Sequence, residues 1–348
     1  MKTAVLQKIT ILALAAAILT FLAAAPPALQ AEEVVVNAVG DIMLAGRWAG
    51  QISEKGYDYP FAATRSELLK GDISLANLEA PLARRGREFT DKKFRFLGDP
   101  RLAPALKRAG IHVVTLANNH SMDFGAAALS ETMLNLEKAG ILWVGAGSDL
   151  RAARQAAIME VKGKRVAFLG YSLTLPEEFY ATDSRAGTAP GHADLFVEDI
   201  AAARKKADYV IVSFHWGTEG SSSAKPYQQA AARRAIRAGA DAVIGHHPHV
   251  LQGVERYKGG IIFYSLGNFA FASKGRTAVH GAMVRLRLNG ASREAELLPL
   301  DVYNRRVQFQ PRLLAKESAA EVIVELNRLS RPLGTVIESR EGRHFVRF

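Results

Sequence analysis

The sequence contains no cysteine. That excludes disulfides, thiolate zinc sites, a cysteine nucleophile and a lipid-modified N-terminal cysteine. Any metal must be held by nitrogen and oxygen. No low-complexity tract, fixed-period repeat or domain-splitting linker is present. No aromatic-interleaved basic motif and no helix-turn-helix pattern occurs either, so nucleic acid is not an expected partner. The basic excess, 45 Lys and Arg against 34 Asp and Glu, fits either a generally solvated surface or polyanionic partners such as acidic polymers, wall phosphates or lipid headgroups.

What is there is an ordinary globular balance, 49% apolar and 23% charged in 348 residues, within reach of one large α/β unit. The N-terminus departs from it. Lys2 and Lys8 precede an apolar run at 9–25, then Pro26-Pro27, small residues to Ala31, and Glu32-Glu33. This is the layout of a secretory signal with cleavage after Ala31, at about the length where a signal and a spanning helix become hard to separate, so an uncleaved anchor is the alternative reading. Either places the body outside the cytoplasm, secreted or membrane-anchored.

From Glu33 onward, apolar runs at 34–39, 73–76, 111–117, 141–144, 166–171, 209–214, 241–245 and 260–266 read as strands. Helical patterns at 104–109, 126–139, 196–206 and 226–238 fall between them. Gly110, Gly140 and Gly239 follow three of these helices, where a left-handed cap favours glycine. The alternation predicts an α/β core of mostly parallel strands. After Gly281, runs at 282–288, 295–300 and 305–311 suggest antiparallel strands at a sheet edge. Ser318 and Glu321 form a capping box for a helix over 319–329, and 335–339 with 344–348 reads as a closing hairpin. The expected organisation is one domain over 32–315, with 316–348 packed on it.

His246, His247 and His249 stand where a strand gives way to a loop. Pro248 biases His247 toward extended backbone. In extended chain i and i+2 share a side, so His247 and His249 converge while His246 faces elsewhere. Open α/β sheets bind ligands at the carboxyl ends of their strands. Five such exits carry polar candidates: Asp41, Asn77 or Glu79, Asn119 with His120, His215, and His247 with His249. Singly each is as well explained by a cap, a turn or a surface loop. Together they make a mixed His, carboxylate and Asn set that suits Zn, Mn or Fe better than Ca.

Six ordered stretches carry a family resemblance: Gly40-Asp41-Ile42-Met43-Leu44, Ala76-Asn77-Leu78-Glu79, Leu116-Ala117-Asn118-Asn119-His120 with Asp123 and Gly125, His215-Trp216-Gly217 with Glu219, residues 245–252, and Tyr264-Ser265-Leu266-Gly267-Asn268-Phe269. From about Val34 to Phe271 the chain resembles the CapA family of bacterial capsule and poly-γ-glutamate synthesis proteins, within the calcineurin-like metallophosphoesterases. The resemblance implies a four-layer αββα sandwich with a one- or two-metal site at its strand ends. It implies Asp41 as first-motif ligand, Glu79 where a bridging Asp is usual, Asn119, His215 and His247 on the second metal, and His249 on the first. His120 becomes a general acid oriented by Asp123, while Glu219 and Asn268 shape the substrate pocket. Two positions depart from the pattern: Met43 stands where the Asp-x-His motif has its histidine, and Leu78-Glu79 replaces Gly-Asp. The implied function is an exported metal-dependent hydrolase acting on a phosphorylated substrate or on poly-γ-glutamate. The other reading is a non-catalytic polymer-binding component working with membrane-bound capsule synthesis subunits.

Overall fold

The β-branched run at 34–39 opens a strand that outlasts it: β1 covers Val34–Met43 and carries Asp41 inside its pairing. The computed structural model describes residues 32–290 and 292–348. The signal or anchor at 9–25 lies outside the described residues. Among those described, no helix is long and apolar enough to cross a membrane.

Beside β1 lie, in order and all parallel, β2 (Ile73–Leu78), β3 (Val113–Thr115) and β4 (Leu142–Val144). Helix α1 (Leu102–Ala109) precedes β3, and α2 (Gly125–Lys138) precedes β4. A second sheet holds β5 (Ala157–Val161), β6 (Lys164–Ser172), β7 (Tyr209–His215), β8 (Ala242–His246), β9 (Val254–Tyr257) and β10 (Gly260–Phe263) in the order β9-β10-β8-β7-β6-β5. Its crossover helices are α3 (Ala193–Arg204) and α4 (Pro226–Ala238). The chain then returns to the first sheet through β11 (Asn268–Phe271), β12 (His280–Asn289) and β13 (Ser292–Asp301). After α5 (Lys316–Ser330), β14 (Glu338–Arg340) and β15 (Arg343–Arg347) complete the antiparallel edge.

Period-two alternation sorts β1 between two cores. Val34, Val36 and Ala38 join Leu75, Phe168, Ile211, Ile244 and Phe263 in the layer between the sheets. Val39 and Ile42 face Leu106, Leu129 and Leu136 of α1 and α2 on the outer side. Phe196, Ile200, Ala232 and Ile236 of α3 and α4 cover the second sheet from its own outer side. Four layers result, αββα, with an antiparallel extension. Residues Glu33–Phe348 form one compact unit, and α5 sends Val322, Ile323 and Leu326 into the inter-sheet core.

Two local expectations fail. The run at 305–311 is not a strand: a short helical turn, Asn304–Val307, is followed by Gln308 and Phe309 at φ +50° and +70°, a left-handed pair that ends any extended pairing. The Ser318/Glu321 capping box does not form either, because α5 already starts at Lys316 with Ala315 as an extended N-cap.

One irregularity positions the site. Up to Val39, β1 pairs antiparallel with β12; from Asp41 its neighbour is β11, parallel. On the other side the register with β2 slips between Ala38 and Asp41. Such a bulge re-aims a side chain. Gly40 makes it possible, since a Cβ there would lie 2.0 Å from the Gly267 carbonyl oxygen. The Asp41 amide donates to that same oxygen at 3.0 Å.

Candidate metal centre

Because β1, β2, β3, β7 and β8 run parallel within their sheets, their polar exits gather at one end of the sandwich. Asp41 projects from the bulge in β1. Glu79 follows β2, its amide tied to the Ile42 carbonyl at 2.8 Å. His215 ends β7 and pairs in register with His246 at the end of β8. All four are buried.

Two donor groups share one carboxylate. Glu79, His215 and His247 form the first; Asp41, Glu79 and His249 form the second; in each, one ligand atom per residue lies within 4.8 Å of the others. Glu79 Oε1 is 3.9 Å from His215 Nε2 and 3.7 Å from His249 Nε2. That oxygen is buried and has no hydrogen-bond partner. His215 Nε2 also stands 3.1 Å from His247 Nδ1 and 2.8 Å from Asn119 Oδ1. Ligand atoms bound at about 2.0–2.2 Å to one ion are themselves separated by roughly 3 Å or slightly more. Converging imidazoles, an amide oxygen and an orphaned carboxylate oxygen therefore fit a divalent cation. A buried carboxylate oxygen without such a partner would cost stability.

The charges agree. Burial would push the Asp41 carboxyl up, but the hydrogen bonds and charges of His246 and His249 outweigh it and hold it well below the ordinary range. Glu79 goes the other way: burial, then the neighbouring Asp41 charge, raises it well above the usual value. His215 is pushed well down by burial and by His247. His247 falls to about 4 from burial and from the His249 charge. Both are thus neutral imidazoles, the form that binds metals. His249 resists burial because Glu79 and Asp41 raise it to about 9. Two carboxylates that cannot both ionise comfortably thus share the pocket with two neutral imidazoles and the imidazolium of His249, whose positive charge a divalent ion would replace.

The histidine cluster is arranged differently from the extended-chain expectation. His247 and His249 adopt φ +95° and +59°, so alternation does not govern them, although their rings still sit 6.0 Å apart. His246 does not face elsewhere. It is fully buried, with Nδ1 3.1 Å from Asp41 Oδ1. Asn77 and Glu79 both belong to the site: Asn77 Nδ2 donates to Asp41 Oδ1 at 2.8 Å and to Glu79 Oε2 at 3.1 Å, and its own oxygen accepts from Asn118 at 3.0 Å. Asn268 reaches His249 Nδ1 at 2.9 Å. Glu219 is exposed on the wall of the adjoining cleft.

That cleft, about 550 Å³, is lined by His120, His249, Asn268 and Met43. His120 Nδ1 lies 2.6 Å from Asp123 Oδ2, and its ring packs on Phe96 with centroids 4.7 Å apart. Burial lowers its pKa more than Asp123 raises it. One residue here carried no motif. Lys92, in an irregular segment, donates to Asp123 Oδ1 at 2.6 Å and to the Asn119 carbonyl, and stands 3.2 Å from His120 Nδ1. Asp123 Oδ2 also accepts from the Phe96 amide at 2.8 Å, so one carboxylate fixes both the histidine and the segment over it. Lys92→Met is expected to cost about 1.5–3 kcal/mol of stability, the range for a hydrogen bond to a charged group. Urea denaturation measures this, and proteolysis should be faster within 84–98.

Residues 35–273 match the model of a family described as bacterial capsule synthesis protein PGA_cap. The capsule biosynthesis protein CapA of Bacillus anthracis is 34% identical over 280 residues, 78% of this chain and 68% of that protein. The PGA biosynthesis protein CapA of Bacillus subtilis (strain 168) is 34% identical over 76% of this chain and 70% of that one. Among solved structures, the NAD nucleotidase of Haemophilus influenzae aligns at TM-score 0.45 and 12% identity, over 85% of this chain and 62% of its own. That likeness is too distant to bear on activity.

Proposed function

The chain belongs to the bacterial capsule synthesis protein family PGA_cap, and from that premise we propose an exported metal-dependent hydrolase of the phosphoesterase type, acting in capsule or poly-γ-glutamate metabolism. The observation that carries this is Glu79: buried, with one oxygen orphaned, and shared by both donor groups. Asn119, His215 and His247 would hold one ion with Glu79, and Asp41 with His249 a second. Zn, Mn and Fe suit such nitrogen and oxygen donors. A divalent ion there supplies Lewis acidity toward a phosphoryl oxygen and makes hydroxide accessible near neutral pH.

The chain's own side chains do the rest. Asn77 spaces the two carboxylates, and His246 holds Asp41 in its orientation. Asp123 takes His120 Nδ1, leaving Nε2 as the nitrogen for proton exchange with a leaving oxygen. Lys92 holds Asp123 in turn. Asn268 and Glu219 border the space a substrate would enter. Export rests on the N-terminal pattern of Lys2, Lys8 and the apolar run that follows.

Met43 favours a second reading. It is buried beside the cleft, and its thioether is a poor ligand for these ions, so among the described residues the Asp41 side gathers three histidine or carboxylate donors and gains none from position 43. On that reading the protein binds polymer or assembles capsule-synthesis subunits without catalysis. Assays of the full-length protein for phosphoester and γ-glutamyl polymer cleavage separate the two. Turnover should fall about a hundredfold or more in His215→Ala, above the 10–100-fold typical of outer-shell changes. Bound metal with no turnover on either substrate class would replace the first reading by the second.

A further inference from the structure

The cleft beside the donor groups adjoins another. A second cleft, about 730 Å³, shares Arg47, Trp48 and Asn304 with it as common wall. Arg47 and Lys93 line the first, and Lys55, Lys274 and Arg305 the second. None of these five has a carboxylate oxygen within 4.0 Å among the described residues, whereas Arg95 pairs with Glu88 and Arg108 with Asp58. Basic side chains outnumber acidic ones in both clefts, where Glu219 and Glu54 are the acidic wall residues of the first and second, and a cleft dominated by one sign of charge concentrates counter-ions. The shared wall is also braced: Asn304 Nδ2 donates to the carbonyls of Phe271 and Ser273 at 2.5 and 2.6 Å.

We infer that the two clefts form one continuous track for an extended carboxylate-bearing polymer, running from the donor groups past Arg47 and Trp48 to Lys274 and Arg305. This deepens the proposed function and takes from it only that the substrate is polymeric. Arginine's planar fork matches carboxylates. Trp48, the aromatic ring common to both clefts, carries cations on its face, which disfavours the base stacking that single-stranded nucleic acid uses. Lys274 Nζ already lies 4.0 Å from the Trp48 ring centroid, and the Arg47 guanidinium 5.1 Å from it.

The test is equilibrium binding of poly-γ-glutamate fractions to the full-length protein, by anisotropy, at equal total glutamyl concentration. Long chains should bind about tenfold tighter than short oligomers, an advantage that shrinks with salt as exposed charges are screened. Arg47→Ala with Lys274→Ala should abolish the length advantage without changing thermal stability, and His215→Ala should retain it. Length-independent binding by the wild type would overturn the inference. So would a length advantage untouched by the double variant, or tighter binding of single-stranded nucleic acid of equal charge. Length-dependent binding without metal or turnover would keep the track and sink the hydrolase reading, so the two can fail separately.

Discussion

Glu79→Gln should lower bound divalent metal from stoichiometric to below about a tenth of an equivalent, more than the 10–100-fold affinity loss expected of a residue one shell further out. The reason is geometric: Glu79 is the one residue common to both donor groups, so its loss weakens both at once, whereas His249→Ala should spare the group built on His215. Misfolding would mimic this, and metal-free stability separates them. Glu79 has a raised pKa in the folded chain, from burial and from Asp41. For an acid, that sign is a stability deficit that grows as pH rises above the unfolded value and the unfolded chain ionises first. A neutral amide removes it, so the metal-free variant should be at least as stable as the metal-free wild type at neutral pH. Adding ion at a hundredfold of its Kd should stabilise the wild type by about 2.7 kcal/mol and leave the variant unchanged. Thermal melts with and without ion measure both halves.

His120→Asn should leave metal content intact and lower kcat by about 10²- to 10⁴-fold, the usual worth of general acid–base catalysis. His120 stands apart from both donor groups, faces the cleft, and is held through Nδ1 by Asp123. An asparagine there still accepts and donates but exchanges no proton. The loss should shrink on substrates whose leaving group needs no protonation, such as a nitrophenyl ester, and be full on an alkyl ester. A purely structural role for His120 would lower both alike. Metal loss accompanying the rate loss would instead move His120 among the ligands.

The strand exits were legible because they need only two rules: apolar runs make strands, and parallel strands place their ends together. Asp41, Asn77 or Glu79, Asn119, His215, His247 and His249 follow from that and do meet; the choice of Glu79 as a ligand comes from the family resemblance. What escaped depends on backbone detail. Alternation in an extended chain points His246 away from the site, but positive φ at His247 and His249 abolishes the alternation. The pattern offers Asn77 or Glu79, whereas the fold uses both, with the Asn77 amide between two carboxylates. Lys92 sits in an irregular segment with no periodicity and no motif, and only the fold brings it to Asp123. The 305–311 run alternated like a strand, yet left-handed Gln308 and Phe309 turn the chain away. At His246 and at 305–311 a few backbone torsions override the short-range pattern, while Asn77 and Lys92 take their places through long-range contacts.

Glu79 is expected to lie between ligands of a divalent ion. Metal analysis of the full-length protein, purified without chelator and then titrated with Mn or Zn after metal stripping, tests it most directly. At least one equivalent should be bound, saturably, and the occupancy should vanish in Glu79→Gln. Less than about a tenth of an equivalent in the wild type, with no saturable binding on titration, would contradict the account.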